Sequence, residues 1–163
     1  MRTLGTQVPF DRLVRAVDDW CAASGWTDLF GQIADPGRTG YRPKNFEWVV
    51  QIPPDEYQAR FAAAEFVVAH AGMGSIITAM MLAKPIVLMP RRAHLGEQRN
   101  DHQVATVARF RTKAGIFVAM EEGDVAPILT RLTNGRQSIG RPQAGAFAEE
   151  RLTNALRTAI RQG

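Results

Sequence analysis

Residues 65–82 read EFVVAHAGMGSIITAMML, and this stretch decides the fold. An apolar run of strand length ends at His70, a turn with two glycines follows, and an apolar helical run begins near Ser75. Glycine lets the backbone approach an anion closely, and the first N–H groups of a helix have no partner within it. The pattern therefore predicts a phosphate cradle where the helix begins. The alternative is a strand-to-helix turn without a ligand, in which Ser75 is the N-cap.

Strands and helices alternate on both sides of this stretch. Helices between successive strands indicate right-handed crossovers and a parallel sheet. We therefore expect an α/β, Rossmann-like fold with helices on both faces of the sheet. Segment 34–45, rich in proline and glycine, is predicted to be a surface loop. Strands are predicted at 3–4, 27–33, 46–52, 66–69, 86–89 and 116–119, and helices at 11–24, 55–64, 75–82, 101–113 and 125–133.

The same pattern predicts how the chain is divided. Residues 1–133 are expected to form one domain, 134–145 a linker and 146–163 a C-terminal helix. This helix carries an apolar stripe with arginines beside it, and such a stripe has to be covered. Packing on its own domain and docking to a partner both satisfy that requirement.

Charge and composition exclude some classes of protein. The 163 residues suffice for one domain with a substantial core. The net charge is +4, and only three of the 20 basic residues are lysines, so arginine dominates. The arginines are scattered without interleaved aromatic residues, which argues against nucleic-acid binding. Anionic small molecules, an acidic partner or an anionic membrane surface remain as binding partners.

Cysteine content and hydropathy indicate the compartment. The single cysteine, Cys21, lies in an apolar helical pattern and is predicted to be a buried structural thiol. No apolar stretch reaches the roughly 20 residues of a membrane span, and the first residues lack the apolar core of a signal peptide. We therefore expect a cytoplasmic protein.

Three loops leave the carboxyl ends of predicted strands, where ligands bind in open parallel sheets. They are residues 5–7 (GTQ), 70–75 (HAGMGS) and 90–103 (PRRAHLGEQRNDHQ). Since these strand ends share one edge of the sheet, the loops should converge on one crevice. The third loop is dense in groups suited to sugar hydroxyls and a diphosphate. The alternative is a solvated loop whose charges pair with one another, with Asp101 capping the next helix.

Several short motifs occur in a fixed order: GTQVPFDRL at 5–13, Gln32, HAGMGS at 70–75, KPIV at 84–87, PRR at 90–92 and NDHQ at 100–103. With these motifs, the chain resembles the C-terminal domain of family 28 glycosyltransferases over about residues 3–133. It is most similar to stand-alone proteins of this kind, namely the catalytic subunit of two-subunit N-acetylglucosaminyltransferases and bacterial exopolysaccharide glycosyltransferase subunits. The resemblance implies a single GT-B C-terminal-type domain that binds a UDP-sugar donor.

The resemblance also implies roles for individual residues. Residues 5–7 would lie beside the diphosphate, and 72–75 would form the second wall of its cradle. The strand end near Ile52 would offer backbone groups to the uracil. Thr78 stands where a related enzyme has a ribose-binding glutamate, with Glu97 as the alternative ribose contact. The implied donor-binding residues are Gly5, Thr6, Gln7, Gln32, Ile52, Gly72, Met73, Gly74, Ser75, Thr78, Arg91, Arg92, Glu97, His102 and Gln103.

The implied reaction inverts the anomeric carbon, because an acceptor hydroxyl attacks as UDP leaves. Two helix starts with Arg91 or Arg92 would stabilise the departing diphosphate, so neither a metal nor a cofactor is expected. The base is His70, His94 or a group of a partner. Three roles are open for His70: orienting the cradle loop, filling the core as a structural histidine, or acting as the base.

The resemblance implies partners as well. This domain would supply the donor half of a two-domain enzyme, and a membrane-attached acceptor-binding subunit would supply the other half. The acceptor would be a lipid-linked sugar, and the chain would then lie at the inner face of the membrane through its partner. A second copy of the chain is the alternative partner, and no nucleic acid is expected.

Two other classes of function fit parts of the pattern. A dinucleotide-dependent oxidoreductase would show G-x-G-x-x-G after the first strand and an acidic residue ending the second. This chain has GTQ at 5–7 and Gln32 at those places, which argues against that class. A non-catalytic nucleotide-sugar-binding or regulatory domain would keep the fold without the chemistry. The density of polar residues at 91–103 favours a working donor site over that alternative.

Overall fold

The computed structural model describes residues 9–135 together with 140 and 142. They contain five strands and five α-helices, with an α-helix between successive strands except the first two, and two short 3-10 turns at Ala93–Leu95 and Glu122–Asp124. The chain is an α/β protein, as the sequence predicts. The elements are α1 (Asp11–Ser24), β1 (Phe30–Gln32), β2 (Glu47–Val49), α2 (Pro54–Ala63), β3 (Val67–His70), α3 (Met73–Met81), β4 (Ile86–Met89), α4 (His102–Phe110), β5 (Ile116–Val118) and α5 (Val125–Asn134).

All strand pairs among the described residues are parallel. β1 pairs with β2, and β3, β4 and β5 form a second sheet with β4 in the centre. Val67 lies opposite Ile86 and His70 opposite Met89, so β3 and β4 end at the same level. The predicted parallel pairing is confirmed, although the described strands form two sheets rather than one.

Some predicted segments lie outside the described residues. They are the first strand at 3–4, the GTQ turn at 5–7 and the helix at 146–163. Most of the linker at 134–145 is also outside that part of the chain. The predicted division into domain, linker and helix therefore stays a prediction.

Both faces of the β3–β4–β5 sheet are covered by helices. Every residue of β3 and β4 is buried, and successive side chains point to opposite faces because a strand repeats every two residues. Val68 packs in the core with α1 and α5, whereas Val67 packs in the core with α2, α3 and α4. Leu29 and Ile33, which flank β1, belong to the first of these cores, so the two sheets share it.

α1 follows its sequence pattern closely. Gly25 ends it with a φ of 67°, a left-handed conformation that glycine adopts at little cost. Cys21 is buried in the core, and burial raises the pKa of its thiol to about 11, so the thiol stays protonated. The predicted structural role of this cysteine is confirmed. The buried apolar residues of α1, all at helical spacing, are Leu13, Val14, Val17, Trp20 and Cys21.

α3 begins earlier than the sequence predicts. Its first residue is Met73 rather than Ser75, and its N-cap is Gly72, whose backbone is extended with ψ 138°. Ser75 favours a cap position in general, but here it lies in the first turn and is buried. No side chain caps the helix. The expectation that Ser75 is the N-cap is therefore wrong, because an extended glycine leads directly into the helix.

Some other strands and helices are shorter than predicted. β1 and β2 have three residues each, where the sequence predicts strands at 27–33 and 46–52. Thr27 and Asp28 are exposed, and the indole N–H of Trp26 donates to the Asp28 carbonyl at 3.0 Å. This local bond ties the Trp26 side chain to the backbone before β1, where residues 26–29 have no regular secondary structure. α4 ends at Phe110, three residues before the predicted end.

The segment 34–45 is anchored, which the sequence does not predict. Asp18, on α1, is 1% exposed and its carboxylate accepts hydrogen bonds from the Tyr41 hydroxyl (2.7 Å) and the N–H groups of Asn45 (2.7 Å) and Lys44 (3.0 Å). Burial opposes the charge, yet the bonds from Tyr41 and from the backbone keep the pKa of Asp18 below its ordinary value. This carboxylate fixes the chain as it enters β2.

Replacing Asp18 should test this anchor. Asp18→Asn turns an amide N–H₂ toward backbone donors, and we expect a loss of about 2–4 kcal/mol in the free energy of unfolding, measured by urea denaturation. Asp19→Asn, one residue further along the same helix but exposed, is the matched control and should change stability by less than about 0.5 kcal/mol. Equal effects of the two substitutions would contradict the anchor.

Candidate functional site

The candidate site lies at the carboxyl ends of β3 and β4. β3 ends at His70, and only two residues separate it from α3. β4 ends at Met89, directly opposite His70, and residues 90–101 connect it to α4; we call this segment the β4–α4 loop. Two of the three loops that the sequence predicts to converge are thus brought together. The third, residues 5–7, lies outside the described residues.

The start of α3 is suited to an anion. The first hydrogen bond within the helix runs from the N–H of Ile76 to the carbonyl of Gly72 at 3.3 Å. The N–H groups of Met73, Gly74 and Ser75 therefore have no partner inside the helix. No side chain caps them, and no acidic residue occupies the first turn. Together with the positive end of the helix dipole, these donors favour a negatively charged group.

The two glycines of the turn differ in what surrounds them. A Cβ at Gly72 would lie 2.3 Å from Cε1 of His70, so the absence of a side chain there makes room for the imidazole. A Cβ at Gly74 would meet nothing within 4 Å. Gly72 is thus required by packing inside the domain. Gly74 leaves open space in front of the helix start.

His70 is a neutral, buried histidine. It is 8% exposed, and its Nδ1 atom is buried without a hydrogen-bond partner in the described part of the chain. Burial and the nearby charge of Arg91 lower the pKa of His70 to about 4, although a side-chain hydrogen bond with Gln103 opposes the shift. The ring is therefore uncharged at neutral pH, which weakens it as a general base. Its contacts fit the orienting and structural roles.

Gln103 and Arg91 connect the β4–α4 loop to the rest of the domain. The Gln103 side-chain oxygen accepts a hydrogen bond from the Arg91 N–H at 3.1 Å. Arg91 is 0% exposed, and its guanidinium donates to the carbonyls of Pro9 (3.0 Å) and Glu97 (3.2 Å). The predicted roles of Arg91 at the diphosphate and of Gln103 in donor binding stay predictions. In the structure both side chains hold protein groups.

Glu97 and Arg92 are also engaged within the protein. The two carboxylate oxygens of Glu97 accept from Nε and Nη2 of Arg12 at 2.9 and 3.0 Å, and one of them accepts from the Arg92 N–H at 2.9 Å. The Arg92 guanidinium donates to the Met120 carbonyl at 3.0 Å and pairs with Glu121. The predicted roles of Glu97 at ribose and Arg92 at phosphate stay predictions. Arg12 is absent from the predicted site.

The remaining candidates surround the start of α3 or lie on other elements. The Thr78 hydroxyl, one turn into α3, donates to the Gly74 carbonyl at 2.9 Å. Gln32 ends β1, and its side-chain oxygen is buried without a hydrogen-bond partner among the described residues. Ile52 is partly buried beyond the end of β2. Whether these residues bind a donor stays a prediction.

Both remaining histidines are exposed. His94 lies in the 3-10 turn of the β4–α4 loop, and His102 is the first residue of α4. Asp101, which the sequence presents as a cap, makes no side-chain cap to α4. Its carboxylate accepts from the Ala93 N–H at 2.9 Å instead, which closes the loop on itself.

Two further properties concern the described residues as a whole. They include no group of three or more histidine, cysteine, aspartate or glutamate residues placed to hold a metal ion. None of the helices in this part of the chain has the length and apolar character to cross a bilayer.

Comparisons with known proteins agree with the fold. The family described as "Glycosyltransferase family 28 C-terminal domain" matches residues 39–144. The glycotransferase of kitacinnamycin is similar in structure, with a TM-score of 0.51 and 18% identity over 96% of this chain and 38% of that one. The glycosyltransferase SnogD from Streptomyces nogalater has a TM-score of 0.45 and 16% identity over 97% of this chain and 43% of its own. The chain thus spans less than half the length of both proteins. No curated protein sequence matches it.

The pKa of His70 predicts a pH dependence of stability. Between about pH 6.5 and pH 4 the unfolded chain takes up a proton at this residue while the native protein does not. The free energy of unfolding should therefore fall as the pH decreases through this window, by about 2 kcal/mol between pH 6.5 and pH 5. His70→Gln should remove this part of the slope in urea denaturation, whereas the exposed-site control His94→Gln should keep it. An unchanged slope in His70→Gln would contradict the assignment.

Proposed function

The chain belongs to the glycosyltransferase family 28 C-terminal domain family, and from this we propose that it is the donor-binding part of an inverting, UDP-sugar-dependent glycosyltransferase. It works with a membrane-attached, acceptor-binding partner and transfers the sugar to a lipid-linked acceptor, in the synthesis of an exopolysaccharide or another glycan. No metal ion takes part in this proposal, because the start of α3 meets the leaving diphosphate.

The observation that carries the proposal is the open helix start at the end of β3. Three consecutive N–H groups precede the first bond of α3, no acidic residue lies in its first turn, and Gly74 leaves the space before them open. A diphosphate matches these donors, since its oxygens accept hydrogen bonds and its charge faces the positive end of the helix. This position, outside the carboxyl ends of parallel strands, is where ligands bind in such sheets.

The chemistry then divides between this chain and its partner. The acceptor oxygen forms a bond to the anomeric carbon while the bond from that carbon to the UDP oxygen breaks, and the acceptor proton passes to a base. The helix start stabilises the negative charge that develops on UDP. The exposed His94 of the β4–α4 loop is the candidate base in this chain, and a group on the partner is the alternative. His70 stays uncharged and orients the turn.

One surface feature supports a partner. Exposed apolar side chains follow the carboxyl ends of three strands: Val50 after β2, Met73 after β3 and Leu95 after β4, exposed by 48%, 46% and 50%. Apolar side chains around a polar cradle are typical of a surface that another domain covers.

Binding of UDP should depend on the open space at Gly74. At 100 times its dissociation constant a ligand adds about 2.7 kcal/mol to stability, so saturating UDP should raise the melting temperature of the wild-type chain by about 5–10 °C. NAD should not. Gly74→Val puts a branched side chain into the first turn of α3 and should abolish the shift with UDP. The melting temperature of the free protein should not fall, because valine is a better helix former than glycine.

Gly123→Val is the matched control for that experiment. A Cβ at Gly123 also meets nothing within 4 Å, but this glycine lies in the 3-10 turn after β5. This variant should keep the full shift with UDP. Equal protection of the wild type by NAD, or no protection by any uridine nucleotide, would overturn the proposed donor site.

Transfer should require the partner. The purified chain is expected to bind UDP yet to release no UDP from a UDP-sugar above the hydrolysis background when a lipid-linked acceptor is added, because half of the cleft is missing. Co-expression with a membrane-attached acceptor-binding subunit should restore release, measured with a coupled UDP assay. Robust turnover by the purified monomer would disprove the need for a partner.

A further inference from the structure

Two arginines cross between the segment that enters α1 and the β4–α4 loop. Arg12, in the first turn of α1, donates from Nη2 to the carbonyl of Pro90 at 2.9 Å. Arg91 donates from Nη1 to the carbonyl of Pro9 at 3.0 Å. Each segment therefore holds a proline carbonyl of the other. We call these four residues, Pro9, Arg12, Pro90 and Arg91, the reciprocal clasp.

The clasp is partly buried, with Pro90 and Arg91 buried and Pro9 exposed, and its charge is compensated. Both guanidinium groups lie near the ring of Phe10, with Cζ of Arg91 at 4.5 Å and Cζ of Arg12 at 5.5 Å from the ring centroid. The Arg12 side chain is 9% exposed and its partner Glu97 is 12% exposed. The ion pair between them is bidentate, with N–O distances of 2.9 and 3.0 Å. Glu121 and Glu122 lie 3.8 and 3.6 Å from Nη1 of Arg12, so Arg12 has further acidic neighbours, whereas removing Arg12 takes the bidentate partner from the Glu97 carboxylate.

Glu97 connects the reciprocal clasp to the rest of the β4–α4 loop. Besides binding Arg12, its carboxylate accepts the N–H of Arg92, and its carbonyl accepts from the Arg91 guanidinium. The carboxylate thus fixes the backbone of the β4–α4 loop directly after β4. Glu97 is 85 residues from Arg12 along the sequence, so this ion pair joins two distant parts of the chain.

The contacts then continue to the start of α3. The N–H of Arg91 donates to Gln103, and Gln103 is hydrogen-bonded to His70. The imidazole of His70 lies against Gly72, the N-cap of α3. A continuous series of contacts thus runs from the first turn of α1 to the N–H groups of Met73, Gly74 and Ser75.

We propose that Arg12 is a positioning residue of the donor site: through the reciprocal clasp it sets the β4–α4 loop, and through Gln103 and His70 it sets the first turn of α3. The expected effect of Arg12 on UDP binding rests on the function proposed above. Asp18, on the same helix, holds residues 41–45 at the other end of β2 and makes no contact in this series. A merely structural anchor on α1 would behave like Asp18.

The experiment compares Arg12→Met with Asp18→Asn. Methionine keeps an unbranched side chain beside Phe10 but loses the charge and the hydrogen bonds to Glu97 and Pro90. Titration calorimetry with UDP is carried out at a temperature where both variants are fully folded. Arg12→Met should weaken UDP binding by about tenfold or more. Asp18→Asn should bind UDP within about twofold of wild type. Arg12→Lys, which restores the charge, should recover part of the lost affinity.

Hydrogen–deuterium exchange gives a readout that needs no ligand. Arg12→Met should raise exchange in residues 91–97 and at 72–76, whereas Asp18→Asn should raise it at 41–45. If wild-type protein does not bind UDP, the proposed function fails, and the positioning role is then decided by exchange alone. Should Arg12→Met not fold, Glu97→Gln takes its place in both measurements.

Several results would overturn the positioning role. The role is overturned if Arg12→Met binds UDP with wild-type affinity. It is also overturned if Asp18→Asn loses as much UDP affinity as Arg12→Met when both variants have lost the same amount in melting temperature. An increase in exchange confined to α1 would overturn it too. Each of these outcomes would show that Arg12 only stabilises the domain.

Discussion

Parallel pairing of β3 with β4 ends both strands at one level, with His70 opposite Met89. Parallel neighbours require a crossover, so α3 has to begin beside the end of β3 before the chain returns to β4. The unbonded N–H groups of that helix and the β4–α4 loop are therefore placed at the same edge of the sheet. Burial of all eight residues of these two strands makes the pairing rigid. The geometry of the candidate site depends on this register, because a shift of the pairing would separate Arg91 and Gln103 from His70.

The arginines at this edge of the sheet bind other partners than the arginine-rich composition suggests. A surplus of guanidinium groups suggests direct contacts with phosphate or carboxylate ligands. At this edge, however, Arg12, Arg91 and Arg92 bind carbonyls and carboxylates of the protein itself. The backbone N–H groups at the start of α3, fixed by a helix, remain open toward an anion among the described residues. Such donors do not change rotamer when a ligand arrives, so little conformational entropy is lost on binding.

Local pattern was enough to predict elements with a regular or continuous apolar pattern. The predicted positions of α1 and β4 agree with the structure, because the pattern of apolar residues that indicates a helix or a strand lies within one short stretch of sequence. Asp18 and Arg12 could not be predicted, since their main partners are backbone groups or side chains 23 to 85 residues away. Backbone acceptors and donors have no sequence signature. The start of α3 was misplaced for a related reason: residue preference favours serine as a cap, and packing of His70 selected Gly72 instead.

The burial of Cys21 has a practical consequence for spectroscopy. It is the only cysteine in the chain, and its protonated, inaccessible thiol reacts slowly with maleimides or iodoacetamides. A cysteine introduced on the exposed rim of the site, for example by Leu95→Cys, would therefore take up a fluorophore or spin label selectively in the wild-type background. The chain can in this way carry a single reporter beside the cradle without removal of its native thiol. Such a reporter would also allow distance measurements to the partner proposed above.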